Sequence, residues 1–138
     1  MKKAVLFIGL IVTVTCILNT KLIAAMKENI STDTNAPVSF KNGYSEVNGM
    51  KMYYEIYGQG KPLVLLHGGG STIQTSFGRI IPLLASHQQL ICVELQAHGR
   101  TGDRNTAISF EQDADDVFML LKNLNIDKAD IFGFSNGG

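Results

Sequence analysis

The sequence has no excess of either charge: its 138 residues carry 12 basic and 12 acidic side chains, for a formal net charge of zero. That balance excludes the strong field with which proteins gather nucleic acid or an acidic membrane surface. Cysteine is nearly absent, with only Cys16 and Cys92. If the N-terminal segment is removed Cys92 stands alone, which excludes a disulfide framework within the chain. Cys92 lies in the apolar run Leu90-Ile91-Cys92-Val93 and reads as a small hydrophobe, since no base adjoins it to make a thiol nucleophile. There is no internal repeat and no low-complexity tract, and beyond the first 26 residues no long hydrophobic span. The length suits one domain and argues against two.

The N-terminus reads as a targeting segment. Lys2 and Lys3 precede an uncharged, mostly apolar run over residues 4–18, which Asn19, Thr20 and Lys21 interrupt. The run is shorter than the roughly 20 residues a bilayer span needs, and Ala24-Ala25 supplies small residues for cleavage. The expectation is a bacterial-type signal peptide over 1–25 and an exported protein, periplasmic or secreted. An uncleaved membrane anchor is the alternative. Lipid attachment at Cys16 is disfavoured by Thr13-Val14-Thr15 before it. Residues 26–42 are polar and read as a linker; the sequon Asn29-Ile30-Ser31 within them is a chance match.

From Tyr44 onward the pattern is regular. Asn48-Gly49 supplies the positive φ angles of a tight hairpin turn. Met50, Met52, Tyr54 and Ile56 then alternate with Lys51, Tyr53, Glu55 and Tyr57, the period of a strand with one covered face. Three short apolar runs follow, at 63–66, 90–93 and 129–132, as expected for strands buried on both faces of a parallel sheet. Between the first two, Phe77, Ile80, Ile81 and Leu84 share a helical face, and Pro82 implies a late start or a kink. Between the second and third, Ser109 with Gln112 forms a capping-box pattern. Ala114, Val117, Phe118, Leu121 and Leu124 follow at helical spacing, and Asn125 is a left-handed terminator. The acidic Asp113, Asp115 and Asp116 favour the helix start through the dipole. The order is a β-hairpin followed by β-α-β-α-β, an α/β fold with helices on both faces of the sheet.

Two loops carry chemistry. Gly133-Phe134-Ser135-Asn136-Gly137 follows the third apolar strand directly. A G-x-S-x-G at a strand end forces a sharp turn that exposes the serine hydroxyl, and its glycines avoid collision with neighbouring elements. Leu66-His67-Gly68-Gly69-Gly70 follows the first apolar strand. Glycines there let backbone N–H groups approach a reacting carbonyl, so Gly69, or Gly68 next, would supply half of an oxyanion hole and Asn136 the other half. A phosphate loop would instead want Lys-Ser/Thr or a G-x-G-x-x-G run, and Ser71-Thr72-Ile73 offers neither.

These motifs resemble the α/β-hydrolase superfamily, in the branch of esterases, haloperoxidase-like enzymes and proline iminopeptidase-like proteins. H-G-G-G after one strand, Glu94-Leu95-Gln96-Ala97-His98-Gly99-Arg100-Thr101 after the next and G-F-S-N-G after the third match its order over residues 44–138. The family often has Asp at the position of Glu94 and Gly at that of Ala97. The resemblance implies a serine hydrolase acting on a small-molecule ester or amide, with Ser135 as nucleophile, no cofactor and no metal. It implies no nucleic-acid partner, and membrane contact only through the export segment. His67 and His98 are then structural rather than basic, and His87 is solvated. The family's acid and histidine follow the serine in the chain, whereas only Asn136, Gly137 and Gly138 do so here. The expectation is the N-terminal part of the fold, truncated after the nucleophile and inactive alone. A non-catalytic binding or regulatory protein on the same scaffold is the alternative.

Overall fold

The computed structural model describes residues 38–138; the expected signal peptide and residues 26–37 of the linker lie outside the described residues. Strand β1, Phe40–Val47, starts within the stretch read as linker, because Lys41 and Asn42 pair with Ile56 and Glu55 of β2, Met50–Tyr57. Asn48 and Gly49 make the connecting turn at φ +42° and +86°, the left-handed geometry that this dipeptide tolerates.

Next come β3, Pro62–Leu66, the short helices α1, Ile73–Phe77, and α2, Ile81–Ala85, and then β4, Gln89–Val93. Helix α3, Phe110–Asn123, leads to β5, Asp130–Gly133, and a single 3₁₀ turn covers Ser135–Gly137. The five strands form one sheet in the order β1-β2-β4-β3-β5. β3 pairs in parallel with β4 and β5, while β2 runs antiparallel to both of its neighbours. The α/β architecture of hairpin followed by parallel β-α-β-α-β is therefore as expected.

Three details differ from the sequence pattern. The first helix is two: Pro82 sits in the opening turn of α2, where its missing N–H costs nothing, so the chain restarts there instead of kinking. β2 is covered on both faces, because each of its faces joins one of the two core layers; Tyr53, Glu55 and Tyr57 are buried as well as Met50 and Met52. β5 lies at the edge of the sheet, and Ile131 and Phe132 are exposed rather than enclosed.

The core has two layers, one on each sheet face. On one, Val64, Ile91, Val93 and Met52 pack against Val117 and Leu120 of α3. On the other, Leu65, Leu90 and Cys92 pack against Ile73, Phe77, Ile81 and Ala85 of α1 and α2. Successive residues of β3 and β4 point to opposite layers, as a strand's period of two requires. Ser109 caps α3 by accepting from the Gln112 amide at 3.1 Å, and Asn125 ends it at φ +57°. Phe118, expected on the inner face, is exposed, and Leu120 takes the buried position. Both loops singled out above thus leave the same end of adjacent parallel strands, β3 and β5, with the β4 loop beside them.

Candidate active site

Ser135 takes φ +54°, a left-handed conformation that a serine adopts at a cost of order 1–3 kcal/mol. The surroundings hold it there. The Phe134 amide donates to the Leu66 carbonyl at 3.0 Å, tying the end of β5 to β3. The Gly137 and Gly138 amides donate to the Phe134 and Ser135 carbonyls, each at 3.0 Å, closing the turn. A side chain on Gly133 would run into the Gly137 carbonyl, and one on Gly137 into the Leu66 carbonyl. The two glycines of the motif are therefore required by space, and Ser135 stands exposed at the apex.

The H-G-G-G loop lies directly against this turn. A Cβ placed on Gly68 would stand 3.1 Å from the Phe134 ring and 3.3 Å from the Ser135 Cβ; one on Gly69 would stand 3.7 Å from the Asn136 Cβ. The Gly68 carbonyl faces inward and accepts three times: from His67 Nδ1 at 2.8 Å, from the Ser71 hydroxyl at 2.6 Å and from the Ser71 amide at 3.3 Å. A trans peptide points its N–H opposite to its carbonyl. Fixing the Gly68 carbonyl therefore fixes the Gly69 N–H in the opposite sense. Among the described residues, neither the Gly69 nor the Asn136 amide has a hydrogen-bond acceptor.

The histidines tie this loop to the one after β4. His67 is fully buried, and its Nε2 accepts from the Leu95 amide at 3.0 Å. His98 uses its ring in the same way from the other loop: its Nε2 accepts from the Gly70 amide at 3.0 Å while its Nδ1 donates to the Gln96 carbonyl at 2.7 Å. Both rings are thus neutral with the proton on Nδ1, as their partners dictate. Burial pulls the His67 pKa below the usual imidazole range, consistent with that neutral form. The ring centroids are 4.9 Å apart. With all four ring nitrogens engaged, neither imidazole is placed to take a proton from Ser135. His87 is exposed at the end of α2, as expected.

Beneath the loops lies a charged network that residue patterning did not reveal. Arg100 bridges two buried carboxylates, Glu94 at 2.7 Å and Glu55 at 3.0 Å. Its guanidinium also stacks on Tyr53, 3.8 Å from the ring centroid. Tyr53 and Tyr57 both donate to Glu55, at 3.0 and 2.5 Å. Burial and the Glu55 carboxylate push the Tyr53 hydroxyl up to about 12, so it stays protonated and donating. Burial acts to raise the Glu94 pKa, but the hydrogen bonds from Arg100 outweigh it and hold the carboxyl below its usual range. The acidic cluster on α3 also does more than complement the helix dipole. Asp116 is buried and paired with Arg104, whereas Asp113 is buried with Oδ1 lacking any partner, its pKa raised by that burial. The only signal in the sequence was the presence of acidic residues at inward helical positions.

Comparison with known proteins agrees with this fold. The α/β hydrolase fold family model matches residues 61–138. A soluble epoxide hydrolase of Corynebacterium sp. is 34% identical over 92 residues, covering 67% of this chain and 32% of its own. Human serine hydrolase BPHL is 32% identical over 130 residues, covering 85% of this chain and 44% of its own. Among solved structures, the epoxide hydrolase CorEH without ligand superposes with a TM-score of 0.68 at 30% identity, over 72% of this chain and 35% of that one. The chain spans about a third of the length of the epoxide hydrolase and under half that of the human hydrolase. A match that runs from β3 through the H-G-G-G loop, β4, α3 and the serine turn shows that the chain belongs to the α/β-hydrolase fold family.

Proposed function

We propose that the protein is a serine hydrolase acting on an ester or related acyl bond. One observation carries this reading: the strained, exposed Ser135 stands against the Gly68-Gly69 loop, and neither the Gly69 nor the Asn136 amide beside it has an acceptor among the described residues. An acyl carbonyl brought to Ser135 would place its oxygen there. When the hydroxyl attacks, the carbonyl oxygen gains negative charge, and preorganised N–H donors stabilise it; each such donor contributes on the order of 3 kcal/mol. The names of the relatives, hydrolases among them, support the reaction class.

A serine hydroxyl needs a base to be nucleophilic at neutral pH. Among the described residues His67 and His98 are committed to backbone partners. Residues 1–138 alone should therefore not turn over ester. The test is reaction with p-nitrophenyl acetate and with a fluorophosphonate probe. The 138-residue chain should show neither turnover nor more than slight labelling. A longer product of the same reading frame, carrying a carboxylate and a histidine after Ser135, should gain both and lose both in Ser135→Ala. If such a product stays unlabelled, the reading is wrong. We also propose export through the N-terminal segment: the mature protein should begin at Met26 by N-terminal sequencing, and an intact Met1 on a cytosolic protein would contradict it.

A further inference from the structure

We infer that His98 is a positioning residue for the Gly69 donor, acting from the neighbouring loop through the Gly70 amide. The inference rests on the oxyanion role proposed for Gly69 and extends it to what holds that amide in place. Gly69 lies between two restrained peptides. On one side the Gly68 carbonyl is held by His67 and Ser71. On the other the Gly70 N–H is held by His98 Nε2 at 3.0 Å. Gly70 has φ +67°, and a side chain there would meet nothing within 4 Å; the Ser71 bonds to the Gly68 carbonyl hold the ends of the turn, and the His98 bond holds the Gly69–Gly70 peptide inside it. His98 is itself anchored by its Nδ1 bond to Gln96 and sits within a tight turn, with the Thr101 amide donating to the His98 carbonyl at 3.0 Å.

The two histidines make a reciprocal brace with unequal ends. His67 of the β3 loop accepts from Leu95 in the β4 loop, and His98 of the β4 loop accepts from Gly70 in the β3 loop. His67 is enclosed, whereas His98 is only partly buried and so reachable by solvent protons. An imidazole that gains a proton on Nε2 turns from acceptor to donor and then opposes the Gly70 N–H. The titratable and charged groups around His98 are His67 from the β3 loop and Asp113 from α3. Glu94 and Arg100, in its own loop, are tied to each other, and Arg104 is tied to Asp116. Protonating His98 thus releases one end of the brace while His67 keeps the other.

The test is amide hydrogen exchange of the 138-residue chain at micromolar concentration, resolved by residue and corrected for intrinsic pH dependence. Deuteration of the imidazole C2–H in the same samples follows the titration of His98. Protection of Gly70 should fall by about tenfold, as expected for one lost hydrogen bond, with the same midpoint as His98, while Leu95 stays protected. His98→Gln puts an amide oxygen near the Nε2 position and should keep Gly70 protected at every pH. His98→Phe should leave it unprotected throughout. Gly70 protection that ignores the His98 titration overturns the inference, as does protection unchanged in His98→Phe. If His98→Phe fails to fold, the wild-type titration and His98→Gln decide. Labelling of Ser135 in the longer product judges the hydrolase reading separately: labelled protein with a pH-insensitive Gly70 removes only the brace, and unlabelled protein with a titrating Gly70 removes only the hydrolase.

Discussion

Arg100 holds the wholly buried Glu94 at three points: its backbone N–H at 2.5 Å, Nε at 3.1 Å and Nη2 at 2.7 Å. Gly99 makes room for this grip, because a side chain there would overlap the Glu94 carboxylate. The longer acid at position 94 and the glycine at 99 are therefore one arrangement.

Removing the guanidinium leaves Glu94 and Glu55 buried without their cation. Arg100→Met should cost about 3 kcal/mol, the loss typical of breaking a buried pair from one side, read as a lower denaturant midpoint. The Glu94 pKa in the folded protein is below its ordinary 4.5. Its stabilisation is complete above that ordinary value and is lost as pH falls through the lower folded one. The deficit of Arg100→Met should accordingly narrow in acid. A deficit constant from pH 7 to pH 3 would show that Arg100 acts by packing alone.

Asp113 gives the opposite sign. Its carboxyl is raised above the ordinary 3.8, so burial is a cost that is fully present above the folded pKa and fades as pH falls through it. Asp113→Leu, beside Leu66, Leu95 and Phe110, should stabilise by on the order of 1 kcal/mol at pH 7, a rise of roughly 4–8 °C in Tm. The gain should shrink at lower pH. A Tm that falls at pH 7 would mean that the carboxylate has a partner in solution.

Ala97 is exposed at φ +59°, where a Cβ is unfavourable by roughly 1–2 kcal/mol and glycine is at ease. After allowing for glycine's greater freedom in the unfolded chain, Ala97→Gly should stabilise by about 0.5–1 kcal/mol. Thermal unfolding checks this, and no gain would mean that the turn relaxes around alanine.

The sequence made most of the fold legible. The Asn48-Gly49 turn, the capped α3, the parallel strands and both glycine loops follow from local rules, because each depends on the backbone freedom or period of a few neighbouring residues. The parts that escaped depend on distant partners. Arg100 reads as an ordinary turn residue until β2 brings Glu55 beside it, and His98 reads as shaping its own loop until the β3 loop presents the Gly70 amide. Phe118 satisfied the helical period yet faces solvent, since Val117 and Leu120 already fill the space above Val64 and Ile91. In the site, the residues of the motifs were readable, whereas the bonds that aim them were not.

The outer edge of β5 has no partner among the described residues, and Ile131, Phe132 and Phe134 are exposed beside it. Unprotected apolar edges invite pairing between molecules. The 138-residue chain should self-associate in light scattering, and Ile131→Lys should reduce it. Equal association of the two proteins would place the contact elsewhere.

The strand order also sets a schedule for synthesis. The hairpin and the β3–β4 pair can form while the chain is still emerging, but one edge of β3 stays open until Asp130–Gly133 has been made. Only then does Phe134 reach Leu66 and bring Ser135 against Gly68. A nascent chain ending within α3 holds the sheet's first four strands and no serine turn at all. The glycine loop therefore waits for the element it faces until Asp130–Gly133 has been made, and Ser135 and Gly68 come together only after the first four strands have been placed.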